Sequence, residues 1–355
     1  MALVLNEEQV MLRDSAAGFL GEKASVTQLR ALRDSDDALR FEPAVWREMV
    51  DMGWAGIAIP ENYGGLGYGY TGLGIVLEQM GRHLSAAPLQ SCVLLGATLI
   101  NQLGSEAQKS AWLAAIAGGE KRVSVAIQES AQFAPRHIAL QARRDGEDWV
   151  LNGHKRLVAD AAGADAFLVV ARDSGADTIE ARCSVFVVDA TLDGVEVKHC
   201  DMVDSRQYGA VSFADVRVAS EQLLGEAGAA WPALEKTLDI GAIGVAAELL
   251  GLSLEAFERT MDYIRERKQF GRPIGSFQGL QHRAATLFAE LELARSLVLK
   301  ALHAVDEDAE DLSLIASAAK AKLCEVAFTA SNEGDQMHGG VCLLYTSDAA
   351  DDEYN

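Results

Sequence analysis

An apolar periodicity that runs for roughly ten helical turns after Trp231-Pro232 constrains the fold of this sequence more than any other feature. Its members recur at helical spacing on one face, and they are Leu234, Leu238, Val245, Leu249, Leu252, Ala256, Met261 and Ile264. Gly271 and Pro273 end this helix, and two further helical patterns follow over about 280–304 and 312–336. Long antiparallel helices with short connections predict a helical bundle in this region.

The rest of the chain divides by its residue pattern into two earlier regions. Residues 6–118 have apolar side chains at spacings of three and four, which predicts helices. Short β-branched runs at 123–127, 167–171, 183–188 and 210–213 are separated by Asp/Gly turns, which predicts strands. We therefore predict an α+β protein with an all-α domain (1–121), a middle β-barrel or sandwich domain (122–225) and a C-terminal helical bundle (226–341).

The sequence changes character after the third bundle helix. From Cys342 it reads CLLYTSDAADDEYN, which is apolar for a few residues, then small and acidic, with neither helical nor strand periodicity. Four helices are the common arrangement for a bundle, and only three are visible before this point. We therefore predict a truncated bundle, a non-native tail over 342–355, and a native protein that continues with further helices.

Charge and cysteine usage exclude several classes of function. The chain has 52 acidic and 31 basic side chains, a formal net charge of −21, which disfavours nucleic acid and polybasic membrane binding. No apolar stretch has the length of a membrane span, and acids stand where a signal peptide needs positive charge. The five cysteines form no CxxC or Cys/His cluster, so no metal site is predicted. A cytoplasmic protein is expected.

Three motifs in this helix–sheet–helix order carry a resemblance to a known family. They are IPENYGGLG at 59–67, ERKQFGRPIGSFQ at 266–278 and QMHGG at 336–340. Together they resemble the acyl-CoA dehydrogenase family over residues 1 to about 341. The resemblance implies bound FAD, oxidation of an acyl-CoA thioester to its 2,3-enoyl product, and transfer of electrons to an electron-transfer flavoprotein.

The second motif offers side chains suited to a flavin cofactor. The planar guanidinium of Arg267 suits a diphosphate, the ring of Phe270 can pack on a flat heteroaromatic system, and Gln278 adds an amide donor. The resemblance implies an FAD-binding set of Arg267, Gln269, Phe270, Gln278, Gln336, Gly339 and Gly340. In the family these positions reach the flavin of a neighbouring subunit, so the resemblance also implies a homo- or hetero-oligomer.

Each of these positions also has a purely structural interpretation. Arg267 stands between Glu266 and Lys268, and such a charged triplet is commonly a solvated helix face. Gly339 and Gly340 allow a backbone to approach a ligand closely, and they equally suit the end of a helix.

The middle domain departs from the family pattern at the positions that contact the flavin ring in the family. Where the family commonly has Trp and Thr or Ser in one triplet, this chain has Leu157 and Ala159, so one side-chain hydrogen bond to the flavin is absent. Gln128 or Ser130, near the end of the first strand, could replace that contact. Both are equally well explained as polar residues at a strand end.

The catalytic base of the reaction is a carboxylate that removes the α-proton in a dry pocket while hydride leaves the β-carbon for the flavin. In the family it lies beyond the glycine motif, where this sequence leaves the pattern, or early in the long helix, where this chain has Gly241. Glu248, two turns further on among apolar residues, is the candidate base. The alternative is a structural glutamate paired with a basic residue of the next helix. The resemblance implies that Asp239 contacts the substrate.

The sequence leaves three functions open. The first is an FAD-dependent acyl-CoA dehydrogenase. The second is a catalytically silent partner subunit that contributes flavin contacts to an active homologue, as Gly241, Leu157 and Ala159 favour. The third is a flavin monooxygenase on the same fold, because a fold does not determine a function.

Overall fold

The N-terminal region of the computed structural model is helical, and the structure describes residues 4–173, 183–200 and 202–339. Its helices are α1 (Glu7–Lys23), α2 (Val26–Arg33), α3 (Pro43–Asp51), α4 (Gly69–His83), α5 (Thr98–Leu103) and α6 (Glu106–Ala117). A π-helix at Leu89–Ala97 leads directly into α5. Helices of this kind are rare and occur frequently at functional sites.

The middle region forms one sheet, which has eight strands within the described residues. The strands are β1 (Val123–Ala126), β2 (Gln141–Asp145), β3 (Asp148–Ala159), β4 (Ala166–Asp173), β5 (Cys183–Asp189), β6 (Val195–Cys200), β7 (Tyr208–Val218) and β8 (Leu223–Leu224). Their order is β6-β7-β3-β2-β4-β5-β8, with β1 parallel to β4 at the side. Three of the four strand-like runs of the sequence lie within these strands, and the first, 123–127, extends one residue beyond β1.

Strand β4 shows why the sheet is attached firmly to the helices. Its side chains alternate between two faces, and both faces are buried. Leu168 and Val170 pack into the helical core, whereas Phe167 and Val169 pack into the core of the middle domain. The sheet therefore packs directly against the helical domains, and the loops between its strands lie next to those helices.

The C-terminal region is the predicted bundle of long helices. It comprises α7 (Trp231–Glu266), α8 (Gln278–Asp306) and α9 (Leu312–Met337), and a two-stranded hairpin, β9 (Lys268–Gln269) with β10 (Arg272–Pro273), joins the first two. The α+β class and the three-region architecture are thus confirmed. The predicted tail over 342–355 lies outside the described residues.

Helix α7 is the core helix of the bundle and packs closely on α4. By length and composition it is also apolar enough to span a membrane, but 56% of its most apolar window is buried inside the protein. A Cβ added at Gly81 would lie 2.0 Å from the carbonyl oxygen of Glu248, and one at Gly251 would lie 1.8 Å from that of Glu78. Glycines on both helices therefore permit this contact.

The apolar face predicted for α7 is partly wrong. Leu234 and Ile264 are buried as predicted, but Val245, Leu249 and Leu252 are only half-buried. The buried face is shifted around the helix and includes Ile240, Ile243, Ala247, Leu250 and Leu254. Because protein surrounds α7 on most sides, apolar residues lie on more than one of its faces. The periodicity alone therefore does not show which face is buried most deeply.

Asp306, at the end of α8, caps a helix of another domain. Its carboxylate accepts hydrogen bonds from the backbone N–H of Tyr70 at 2.6 Å and of Thr71 at 2.9 Å, and from the Thr71 hydroxyl at 2.5 Å. These donors lie in the first turn of α4, where the N-cap residue Tyr68 makes no side-chain hydrogen bond. The capping group for α4 is thus supplied by the C-terminal domain.

Replacing this cap should destabilise the protein. We expect Asp306→Ala to lower the free energy of unfolding by about 1–2 kcal/mol, the usual loss for an N-cap carboxylate. Asp262→Ala is the control, because Asp262 on α7 is 73% exposed and its ion pair with Arg265 lies at the surface. Urea denaturation measures both variants, and equal losses would contradict the capping role.

Candidate functional site

The residues implied for FAD binding come together at one end of the bundle. Arg267 caps the C-terminus of α7, and Gln336 lies in the last turn of α9. The ring of Tyr263 on α7 stacks on His338 with centroids 4.2 Å apart, which ties the two helix ends together. His338 is oriented by a 2.7 Å hydrogen bond between its Nδ1 and the carbonyl oxygen of Gly334. Gly340 lies outside the described residues.

The side chains of Arg267 and Phe270 at this end of the bundle are exposed to solvent. Within the described residues the Arg267 guanidinium has no hydrogen-bond or ion-pair partner, and the Phe270 ring is 90% exposed. Phe270 also has a φ of 55°, an uncommon conformation for a large side chain. It meets Phe277 edge to face at 6.1 Å, and Arg272 lies over the Phe277 ring at 4.2 Å. An outward guanidinium beside an outward aromatic ring suits a ligand with phosphates and a flat ring system.

A second group of polar side chains lies where the three domains meet. Glu248 of α7 forms an ion pair with Arg206 of the β6–β7 loop, and Gln90 of the π-helix donates a hydrogen bond to the same carboxylate. Arg206 also donates to the carbonyl oxygen of Ser85 at 3.3 Å. Burial raises the pKa of Glu248 above its ordinary value, although the charge of Arg206 opposes this.

Asp160, one residue after β3, extends this polar group. Its carboxylate accepts a 2.5 Å hydrogen bond from the Ser91 hydroxyl, and burial raises its pKa despite that bond and the charge of Arg206. Burial likewise raises the pKa of Tyr208 to about 12. Arg206 is therefore paired with Glu248, and its charge also acts on Asp160.

Glu248, Arg206, Gln90 and Tyr208 border a cavity of about 560 Å³, called here the seam cavity. Helix α2, residues 84–90, residues 203–208 and helix α7 enclose it. Its wall is apolar at Val26, Leu29, Val245, Leu249 and Leu252 and polar at Gln90, Arg206, Tyr208 and Glu248. The volume and the mixture of apolar wall with few polar groups are typical of small-molecule sites.

The strand pair beside this cavity carries the altered flavin triplet. Ala159 of β3 pairs with Tyr208 of β7, and the register shifts between Lys155 and Val158, where Leu157 has a φ of 51°. The triplet therefore stands at a bulge of the strand that approaches the seam cavity.

Gln128 provides an observation that fits a bound flavin. Its Nε2 donates to the carbonyl oxygens of Ser130 at 3.1 Å and Gln132 at 2.8 Å, whereas its buried Oε1 has no hydrogen-bond partner among the described residues. A buried acceptor without a partner is costly unless a ligand N–H completes it. Since the backbone oxygen of Gln128 bonds Arg156 of β3 at 2.7 Å, this acceptor lies beside the altered triplet. The residues present thus fit FAD.

A buried ion pair holds the same strand ends together, and the sequence reasoning did not find it. Lys155 of β3 is fully buried, and its Nζ lies 2.6 Å from Oε1 of Glu129 and 3.1 Å from the carbonyl oxygen of Ile127. The backbone N–H groups of Ala139 and Leu140 donate to the same carboxylate at 2.6 and 3.0 Å. Lys155 follows Leu151 and Gly153 at a spacing of two, and this alternation is the signal that it faces inward.

Two further positions of α7 lie away from Glu248. Asp239 lies near Ser313 in the first turn of α9, and burial raises its pKa while the Ser313 hydroxyl opposes the shift. A Cβ on Gly241 would lie 2.6 Å from Cδ2 of Leu95, so the helix leaves little room for a side chain there. Glu248 is paired with Arg206, as the structural alternative required, but this arginine belongs to the middle domain and not to the next helix.

Comparison with known proteins identifies the family. Residues 6–120, 131–216 and 228–351 match the N-terminal, middle and C-terminal domains of acyl-CoA dehydrogenase. Acyl-CoA dehydrogenase FadE12 of Mycobacterium tuberculosis is 31% identical over 344 residues, which cover 96% of this chain and 88% of the relative.

Solved structures with about the same identity have the same fold. A chain from a structure titled "Tcur3481-Tcur3483 steroid ACAD G363A variant" is 30% identical, with a TM-score of 0.83 and coverage of 97% of this chain and 89% of that one. A chain from a structure of an electron transferring flavoprotein of Acidaminococcus fermentans is also 30% identical, with a TM-score of 0.87 and coverage of 96% and 90%.

This chain belongs to the acyl-CoA dehydrogenase family. It is accordingly an oxidoreductase of lipid metabolism that acts on CH–CH bonds, in a family whose members depend on FAD.

Proposed function

We propose that the protein oxidises an acyl-CoA thioester to its 2,3-enoyl product with FAD and passes the electrons to an electron-transfer flavoprotein. The observation that carries this proposal is the seam cavity, in which a buried carboxylate faces an apolar wall beside the strand pair of the flavin triplet. The relative found in a structure of an electron transferring flavoprotein supports the acceptor. We propose a cytoplasmic homo- or hetero-oligomer that shares flavin sites between subunits.

The flavin would be held by residues at the end of the bundle and at the triplet. Arg267, Gln269, Phe270, Gln278, Gln336, Gly339 and Gly340 are the proposed binding set. The Oε1 of Gln128 would accept a hydrogen bond from a ligand N–H. Backbone groups of 157–159 would make the contact that the absent hydroxyl makes in the family. When bound, FAD supplies the two-electron acceptor for the reaction.

Glu248 is the proposed proton acceptor for the α-carbon. Its elevated pKa brings the carboxyl group nearer the working pH, which favours general base catalysis. Gln90 and Arg206 fix the orientation of the carboxylate and remain in contact with it when it takes up the proton. Asp239 is proposed to contact the substrate further along the same helix.

Glu248 can be tested by flavin bleaching in the purified protein under anaerobic conditions. We expect an added acyl-CoA to bleach the flavin, and Glu248→Gln to slow bleaching by about 100-fold or more while FAD stays bound. Because the base must be ionised, the bleaching rate should rise with pH through the elevated pKa of Glu248. Glu235→Gln, which alters an exposed carboxylate of the same helix, is the control and should leave the rate unchanged.

The silent-partner function predicts a different result. It is favoured by Leu157, Ala159 and Gly241 and by the engagement of Glu248 with Arg206. The steroid ACAD named for two components, Tcur3481 and Tcur3483, supports it further. Absence of bleaching by the purified chain, with bleaching restored by an active homologue, would establish this function instead. Oxygen consumption with reduced flavin and no acyl-CoA would indicate the monooxygenase.

A further inference from the structure

The seam cavity has two chemically different ends. At its inner end Glu248 pairs with Arg206 and accepts a hydrogen bond from Gln90, and the charge of Arg206 also acts on Asp160. Between the ends the wall is apolar. At the outer end the lining residues include exposed Arg30 and Arg33 of α2. A ligand that fills the cavity would therefore pass from the polar seam along an apolar wall to a cationic mouth.

Helix α2 presents these arginines because of its spacing. Val26, Leu29, Arg30 and Arg33 recur at three and four residues, so they share the helix face that borders the cavity. The apolar members line the inside and the arginines follow in the last turn. Cations in a last turn also stabilise the helix dipole. That role alone does not require them to line a cavity.

Arg30 is free to bind an anion. Arg33 pairs with Asp34 at 2.7 Å, whereas Arg30 has no hydrogen-bond or ion-pair partner within the described residues. The charged lining residues outside the polar seam are Arg30, Arg33 and Asp204, and since Arg33 is engaged with Asp34, Arg30 is the arginine left without a paired carboxylate among the described residues. In a chain with a formal net charge of −21, the unpaired guanidinium of Arg30 gives an anion a local partner at the mouth.

The inner end is a poor place for an added anion. Arg206 already neutralises Glu248 and its charge also acts on Asp160, so a third carboxylate there would compete for the same cation. An anionic group on a substrate is therefore stabilised at the mouth and not beside the reacting carbons.

We infer that the seam cavity selects acyl-CoA esters whose acyl chain ends in a carboxylate, which Arg30 and Arg33 bind at the cavity mouth. This inference rests on the proposed function, because it assumes that the cavity holds the acyl group. The apolar wall at Leu29 and Leu252 accommodates the methylene chain, and the mouth recognises its end.

The test compares two ligands that differ only at the far end of the chain. The probes are 2-octenoyl-CoA and the same enoyl-CoA with a carboxylate at its terminal carbon, titrated calorimetrically into the intact flavoprotein. We expect the carboxylated ester to bind about fivefold more tightly at low ionic strength, as befits a partly exposed ion pair. The preference should decrease with added salt.

Variants assign the preference to α2. The double variant Arg30→Gln, Arg33→Gln should abolish it while leaving the affinity for 2-octenoyl-CoA unchanged. Arg47→Gln, an exposed arginine of α3 that pairs with Asp51, is the matched control and should keep it. Equal affinity for the two esters, or a preference that survives in the double variant, would overturn the inference. Failure of both esters to bind would overturn the proposed function as well, so the two failures are distinguishable.

Discussion

Lys155→Met is expected to lower the free energy of unfolding by about 3–5 kcal/mol, the loss typical of removing one partner from a buried ion pair. The substitution removes the cation and leaves Glu129, whose side chain is only 6% exposed, without its counter-charge. Two backbone donors would remain on the carboxylate, at Ala139 and Leu140, but they do not neutralise it. Urea denaturation followed by far-ultraviolet circular dichroism measures the change.

Two controls separate the ion pair from general effects of the substitution. Lys198→Met changes a lysine that is 71% exposed and pairs with Glu196 on β6, and it should cost less than about 0.5 kcal/mol. The double variant Lys155→Met, Glu129→Gln removes both charges and should be clearly less destabilised than the single variant. A double variant as unstable as the sum of the two single variants would show that the pair is not coupled.

The same pair should give the protein an acid-sensitive component of stability. Burial favours the protonated form of Glu129, but the charge and hydrogen bond of Lys155 outweigh it, so its pKa lies below the ordinary value. A carboxyl group of lowered pKa contributes stability above its unfolded pKa and loses it as the pH falls through the folded pKa. The unfolding free energy of the Lys155→Met variant should therefore decrease less steeply in acid than that of the original chain.

Arg267→Ala is expected to weaken FAD binding by about 10- to 100-fold, the range for charge-assisted hydrogen bonds to a diphosphate. Thermal stability without FAD should not change, because the Arg267 side chain has no hydrogen-bond or ion-pair partner in the described part of the chain. Equilibrium dialysis with flavin absorbance gives both the affinity and the number of FAD molecules bound per chain.

A neighbouring arginine provides the matched control for this experiment. Arg265, two residues earlier on α7, is 72% exposed and pairs with Asp262. Arg265→Ala should bind FAD like the original chain. Equal losses in the two variants would indicate a general electrostatic effect and contradict a specific role for Arg267.

The sequence predicted the large elements well because their signals are local. The second and third bundle helices, predicted at about 280–304 and 312–336, are observed at Gln278–Asp306 and Leu312–Met337. Each depends on side-chain periodicity and on end signals within the segment itself. Arg267 and Phe270 are exposed for an equally local reason, because they lie in a short connection between two helices and such connections run over the protein surface.

The polar contacts between domains were not predictable from local patterns. Glu248 pairs with Arg206, which is 42 residues away in the chain and belongs to another domain. A single sequence contains no signal for which of many arginines will meet a given glutamate. The face of α7 was misassigned for a related reason, since Val245 and Leu249 line a cavity that only the docking of α2 and the β6–β7 loop creates.

The contact at Glu248 ties the stability of each domain to the others. Its partners Gln90 and Arg206 come from the N-terminal and middle domains, while Glu248 itself belongs to the bundle. Opening any one domain would break this contact and leave a charged or polar group of another domain without its partner. The three domains should therefore unfold in one cooperative step. For the same reason a change at one of these positions during evolution requires a matching change in a different domain, and the three domains are constrained to evolve together.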